Sequence, residues 1–425
     1  MFYTLNKLLS GKKASLIVIL IAIASRALQS LFYLDLMFDT SFQVIGTQNL
    51  INGHGISTAI VTPGNLAAIQ YLPQIGWPPG YSLLLTPFYI ASGQQYLVAC
   101  FVLNMLAAIS IIIFCRKILR VLDVSLPVIN LFTLVTGFYI NYFYFIGSTD
   151  VIAIAFFLAA IYYSLDAIKT NQKWTHSAVI SGCCLLICAS LKYLFFPVVF
   201  TLPLFIYVYG SHNRSKLIKK AAFISFGIVA AGVATIILYQ KYTSGAGTYI
   251  SSPGRGFFPE HLLRLYPLIP ASFLTSNTLS KLPGNLPALI MDIFRVIHVV
   301  ALGALVIVAA RFLFRNGPGK TSLTTSFLLL ALFISVTISI VLAFLSLVVD
   351  KEIINQDNWW TYIEDARYFG LAEILLQLAV FLLLQQAGKQ INKPVKLLFT
   401  ALPFSQPPFF PFLPSPPNIG AVYCS

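Results

Sequence analysis

Charge is what this sequence has least of. Only 9% of its 425 residues are Asp, Glu, Lys or Arg, where an ordinary soluble domain carries about a quarter. So few polar side chains cannot cover a water-facing surface, which excludes a soluble globular protein. Acids are the scarcer sign, 13 against 27 basic residues. Cysteine offers little chemistry. Cys100, Cys115, Cys183, Cys184 and Cys188 lie inside apolar runs and Cys424 in the tail, none at zinc-ligand spacing with histidine. His54, His261 and His298 show no ligand spacing either. A glycine loop for nucleotide phosphates and a convincing internal repeat are both missing. The first absence leaves no motif that points to a nucleotide, and the second argues against a transporter built on inverted repeats.

What is present is apolar length. Leu16 to Leu34 is interrupted by one charge, Arg26, and Leu323 to Val349 by none. Each run can cross about 30 Å of hydrocarbon as a helix, and both are continuous rather than alternating, so strands do not fit. The pattern predicts an all-α polytopic membrane protein of about ten spans: 14–34, 95–115, 127–146, 150–168, 176–191, 193–210, 220–240, 288–314, 323–349 and 367–387. The first is read as an uncleaved span, because the apolar stretch continues past the cleavage-like Ala22-Ile23-Ala24.

The net charge of +14 would suggest nucleic acid in a soluble protein. Here the basic residues cluster between apolar runs. With the N-terminus inside, 18 of 27 fall in inner segments, Arg116, Lys117 and Arg120 among them. Most acids fall outside, and Asp123 and Asp166 are the exceptions. Pro79 to Ala91 is too short and proline-rich for a crossing, and is expected to be an interfacial helix. Outer loops of functional size are then 35–94, 241–287 and 350–366. Residues 1–395 form the expected membrane-embedded domain. Residues 396–425 form a Pro/Phe-rich tail, expected to be disordered or interfacial and not a selected part of the fold.

The first outer loop holds the chemistry. Asp39 follows the first span, a helix-like stretch runs to Gly53, and Trp77-Pro-Pro-Gly-Tyr81 follows. Asp39, Asn49-Leu50, Gly53 and the Trp77 to Pro87 segment resemble the loop of the GT-C membrane glycosyltransferases, of the protein O-mannosyltransferase and aminoarabinose-transferase type. Ser148-Thr149-Asp150 and Arg367-Tyr368 resemble two further motifs of that superfamily. Thr40 departs from the pattern, standing where the family has Glu beside its Asp, and so removes a metal ligand. No cofactor is indicated, and a divalent metal is left open.

The resemblance implies transfer of a sugar from a polyprenyl-phosphate donor to an acceptor hydroxyl on a lipid, glycan or protein. Asp39 would be the catalytic base, acting with inversion on the face opposite the leaving group. The expected substrate-binding residues are Asp150, Lys192, Arg255, Arg367, Tyr368, Trp77 and Tyr81, with no assigned metal ligand. Lys192, Arg255, Arg264 and Arg367 are the outward cations that could meet a departing lipid phosphate. Structural alternatives stand beside these. Asp39 or Asp150 could cap a helix, Lys192 could snorkel, and Arg367 could anchor a span or pair with Glu364. Arg26 and Glu373 could pair or touch a lipid headgroup. The competing functional class is a transporter or flippase of a lipid-linked glycan. A glycan polymerase or ligase gives no reason for an acid-bearing loop after the first span. The expected location is the bacterial inner (plasma) membrane with the site on the periplasmic or extracellular side.

Overall fold

The computed structural model describes residues 9–32, 38–62, 65–138, 149–248, 255–257, 322–350, 368 and 370–390. Its helices are α1 (Lys12–Phe32), α2 (Phe38–Ile51), α3 (Gly80–Ala91), α4 (Tyr96–Val121), α5 (Leu126–Phe138) and α6 (Thr149–Thr170). They continue as α7 (Trp174–Leu191), α8 (Phe195–Val198), α9 (Thr201–His212), α10 (Lys216–Ser244), α11 (Leu323–Leu347) and α12 (Gly370–Gln390). Among the described residues seven stretches are long and apolar enough to cross a membrane: α1, α4, α6, α7, α8 with α9, α10 and α11. The described parts of α5 and α12 are shorter apolar helices, matching two further expected spans. The expected span 288–314 lies outside the described residues. The helical membrane fold stands, and α3 is indeed a separate 12-residue helix.

Strands are the departure. β1 (Ser57–Thr62) and β2 (Asn65–Pro73) form an antiparallel hairpin in the long loop that follows the first span. β3 (Arg255–Phe257) pairs with β4 (Val348–Asp350), two segments far apart in sequence. The hairpin belongs to a loop, whereas β4 takes up the last residues of the expected span 323–349, whose helix ends at Leu347.

At one end of the bundle Asn130 donates to the Leu9 carbonyl at 2.7 Å, and Lys169 pairs with Asp123 at 2.6 Å. That pair accounts for one of the two acids on the basic side. Arg116 is not a loop residue: it lies in α4, buried, and donates to Ser15 Oγ and Thr133 Oγ1. The helix continues one and a half turns beyond the apolar run, and the hydroxyls of α1 and α5 satisfy the guanidinium. Arg26, also buried, donates to the Thr136 carbonyl and to Gln29 Oε1.

Small residues set the closest approaches, as expected where lipid gives no hydrophobic drive between helices. A Cβ on Gly232 of α10 would lie 2.1 Å from Leu186 Cδ1 of α7, and one on Gly137 of α5 would lie 2.6 Å from Ala22 Cβ of α1. The core between spans holds Ile111, Ile118, Phe132, Phe157, Leu185 and Phe327, all fully buried. Among the described spans α6 is the most enclosed and α10 the most exposed. Chain contacts divide the protein into Met1–Leu382 and Leu383–Ser425. Of the second unit, the described part is the helical stretch 383–390. The expected boundary at 395/396 and the tail lie outside the described residues.

Candidate active site

The site is built on the loop between β2 and α3. Gln74 Nε2 donates to the Phe42 carbonyl at 2.5 Å and to Thr58 Oγ1 at 3.1 Å, so one amide ties the loop to α2 and to the hairpin. The Trp77 ring stacks on Phe42 with centroids 5.2 Å apart. The Trp77 carbonyl accepts from Gln240 Nε2 of α10 at 3.2 Å, and the Ile75 carbonyl accepts from Tyr193 Oη at 2.8 Å. Burial pushes the Tyr193 phenol up, against a smaller opposite pull from Gln240. Gly80, which opens α3, sits on the end of α7: a Cβ there would lie 2.1 Å from Ser190 Oγ and 2.4 Å from the Ser190 carbonyl oxygen. The Pro-Pro-Gly segment ends in glycine because no other residue fits that contact.

Two residues beyond Ser190 the chain leaves α7 at Lys192, in an extended conformation. Lys192 Nζ meets both oxygens of Asp150, at 2.8 and 2.9 Å. Local structure explains the pairing. α6 and α7 are antiparallel neighbours, so the first turn of α6 lies beside the last turn of α7. A carboxylate at a helix N-terminus and a cation at a C-terminus each complement the backbone dipole. Both side chains are nearly enclosed, 4% exposed for Asp150 and 10% for Lys192. The Lys192 ammonium also stands 4.0 Å from the centroid of the Tyr368 ring, a cation–π contact. Asp150 is thus neither a simple cap nor a surface acid, and Lys192 does not snorkel to water.

Asp39 lies half-buried in the first turn of α2. Its helix is held by Gln74 and by Ser82 Oγ, which donates to the Gln43 carbonyl at 2.8 Å. The structure therefore assembles Asp39's helix, Trp77, Lys192, Asp150 and Tyr368 at one end of the bundle. Tyr81 is placed differently. It is fully buried, with Oη 3.4 Å from Cys100 Sγ, and burial first, then Cys100, pushes its phenol well up. Tyr81 belongs to the packing of α3 on α4 rather than to a ligand surface. Arg255 lies in β3, in register with Asp350. Arg367 and Arg264 lie outside the described residues. Among the described residues no three His, Cys, Asp or Glu side chains gather as a metal-ligand set. Gln74, Gln240 and Tyr193, which fasten the loop, carry no sequence signal: Gln74 is one polar residue of a long loop, and Gln240 and Tyr193 are polar residues near span ends.

A bundle of apolar spans with its polar cluster at one end defines a polytopic integral membrane protein. Among solved structures the chain is similar to the Archaeoglobus fulgidus oligosaccharyltransferase tethered with an acceptor peptide, at 12% identity and a TM-score of 0.44, covering 88% of this chain and 55% of that one. It is also similar to ArnT from Cupriavidus metallidurans in the apo state, at 12% identity and a TM-score of 0.38, covering 88% and 77%. The chain thus spans little more than half the length of the oligosaccharyltransferase. No protein-family model and no curated protein matches the sequence.

Proposed function

We propose that this protein is a membrane glycosyltransferase that moves a sugar from a polyprenyl-phosphate donor to an acceptor hydroxyl at the outer face, with inversion. The observation that carries the reading is the convergence at one end of the bundle. The loop that bears Trp77 is fastened both to the helix of Asp39 and to the helix end that presents Lys192. A lipid-linked donor keeps its prenyl chain in the bilayer and its phosphate at the boundary, so its reacting carbon must lie at the level of a span terminus. Asp39 can take the acceptor proton there as the new C–O bond forms and the sugar–phosphate bond breaks. The charge then passes to the lipid phosphate, which cations at the same level stabilise. Lys192, held by Asp150 and stacked on Tyr368, is the described cation we assign to that end. Arg367, the neighbour of Tyr368 in sequence, is the second.

The test uses purified protein in nanodiscs with a radiolabelled polyprenyl-phosphate sugar. Asp39→Asn keeps the shape of the side chain and removes the base, so transfer should fall by roughly 10²–10⁴ while donor binding persists. Wild-type turnover in that variant, with chemistry limiting, removes Asp39 from the mechanism.

A further inference from the structure

We propose that the β1–β2 hairpin is a membrane-contacting element that lies in the lipid headgroup region of the outer leaflet. The whole stretch from Thr40 to Cys115 contains no Asp, Glu, Lys or Arg, although it includes a long outer loop. A hairpin bathed in water ordinarily carries charge on at least one face. This one exposes apolar side chains on both. Val61 is in register with Ile69, which shares its face with Tyr71, while Ile60 and Leu72 occupy the opposite face. These five side chains are each 38–55% exposed. Two-sided apolar exposure suits an element surrounded by lipid rather than one resting on a protein surface.

Its level in the molecule agrees. The base is tied to α2, where Asn49 Nδ2 donates to the Ser57 carbonyl at 2.8 Å, and β2 touches α10. Gln240 of α10 reaches the Trp77 carbonyl four residues beyond β2, so the hairpin base lies level with the last turns of that span. The same turns expose Leu238, Tyr239 and Tyr242 outward, with Tyr242 91% exposed. Exposed tyrosines at a span end mark the lipid–water boundary. The hairpin thus continues the lipid-facing surface of α10 at that boundary. Its depth is also bounded. A two-stranded hairpin has open edges whose N–H and C=O groups need partners, and hydrocarbon offers none. The headgroup layer supplies both apolar contact and water. Lipid at neutral headgroups is the occupant that fits an element with no charge of its own.

The experiment places an environment-sensitive fluorophore on Ile69→Cys and, separately, on Leu72→Cys, which lie on opposite faces. Cys183, Cys184 and Cys424 are replaced by alanine in both. Each labelled protein is put into phosphatidylcholine nanodiscs, one copy per disc, so that a second copy cannot shield the label. The expected result at both positions is stronger quenching by a spin label near the headgroup end of the acyl chain than by one near the chain terminus. Quenching by aqueous iodide should be weaker than for the free dye. If one cysteine impairs folding, Val61→Cys and Ile60→Cys report the same two faces. Free-dye iodide quenching without lipid quenching at either face places the hairpin in water and overturns the proposal. Stronger quenching by the deep label than by the shallow one overturns the headgroup depth.

Discussion

The Asp150–Lys192 pair offers the sharpest quantitative test, because both charges are almost wholly withdrawn from solvent. Removing one partner of a buried pair strands the other charge, at a cost of about 3–5 kcal/mol. Lys192→Met leaves a carboxylate facing an apolar side chain and should show the full penalty. Asp150→Asn should fall at the low end, because the amide oxygen still accepts one hydrogen bond and the Tyr368 face still attracts the ammonium. The double variant removes both charges together. Its cost should be smaller than that of Lys192→Met alone, giving a coupling energy of at least about 3 kcal/mol. Denaturant-titrated unfolding in mixed micelles reads all four stabilities. Additive losses would show that the two side chains do not sense each other and would refute the geometry. The double variant also separates structure from chemistry. If Lys192 meets the departing phosphate, transfer stays low even where stability has recovered. A stable double variant with wild-type turnover would leave the pair a purely structural clasp.

Gly80→Ala should destabilise by about 1–3 kcal/mol, because its methyl group meets the Ser190 backbone, and should lower transfer with it. Gly76→Ala is the control, since a Cβ there meets nothing within 4 Å, and equal effects would refute the argument. Tyr193→Phe tests pH dependence. Burial raises the phenol pKa in the fold above the unfolded value of about 10, so its contribution is intact below that pH and is lost as pH rises toward the folded pKa. Wild type should therefore lose about 1 kcal/mol per pH unit more than Tyr193→Phe above pH 10, and parallel curves would count against the burial. For topology, a cysteine at Tyr242 should react with an impermeant reagent from outside and one at Lys216 only from inside. Reaction of both from one side would overturn the sidedness on which the outer site rests.

Much of this architecture was legible because the bilayer imposes it. Seven of the ten expected spans reappear as long apolar helices, since hydrocarbon thickness sets a length that a run of apolar residues reports directly. α2 ending at Ile51 and α3 at Gly80–Ala91 were legible from glycine and proline punctuation. The hairpin was not read, although Ser57 to Thr62 and Asn65 to Pro73 flank Pro63-Gly64 in the manner of a turn. Apolar, uncharged residues beside many spans hid its β-branched content. At the site, the sequence marks Asp150 and Lys192 separately. Their pairing was illegible because 42 residues separate them and only the packing of α6 on α7 unites them. The inward orientation of Tyr81 is illegible for a related reason. Lying in a motif says nothing about which way a helix turns its side chains, and this one turns inward to Cys100.

The contact between Arg26 and the Thr136 carbonyl has a consequence for how the chain is made. Arg26 sits within α1, and its acceptor lies 110 residues later. At about 5–20 residues per second, ribosomes take about 5–20 s to supply it. A lone arginine near the centre of a span costs about 2.5–3.5 kcal/mol on the insertion scale. During that interval Gln29, three residues away in the same helix, is an acceptor already within reach of Arg26. α1 therefore completes this contact late: the Thr136 carbonyl can meet Arg26 only once α5 has been made and packed against α1.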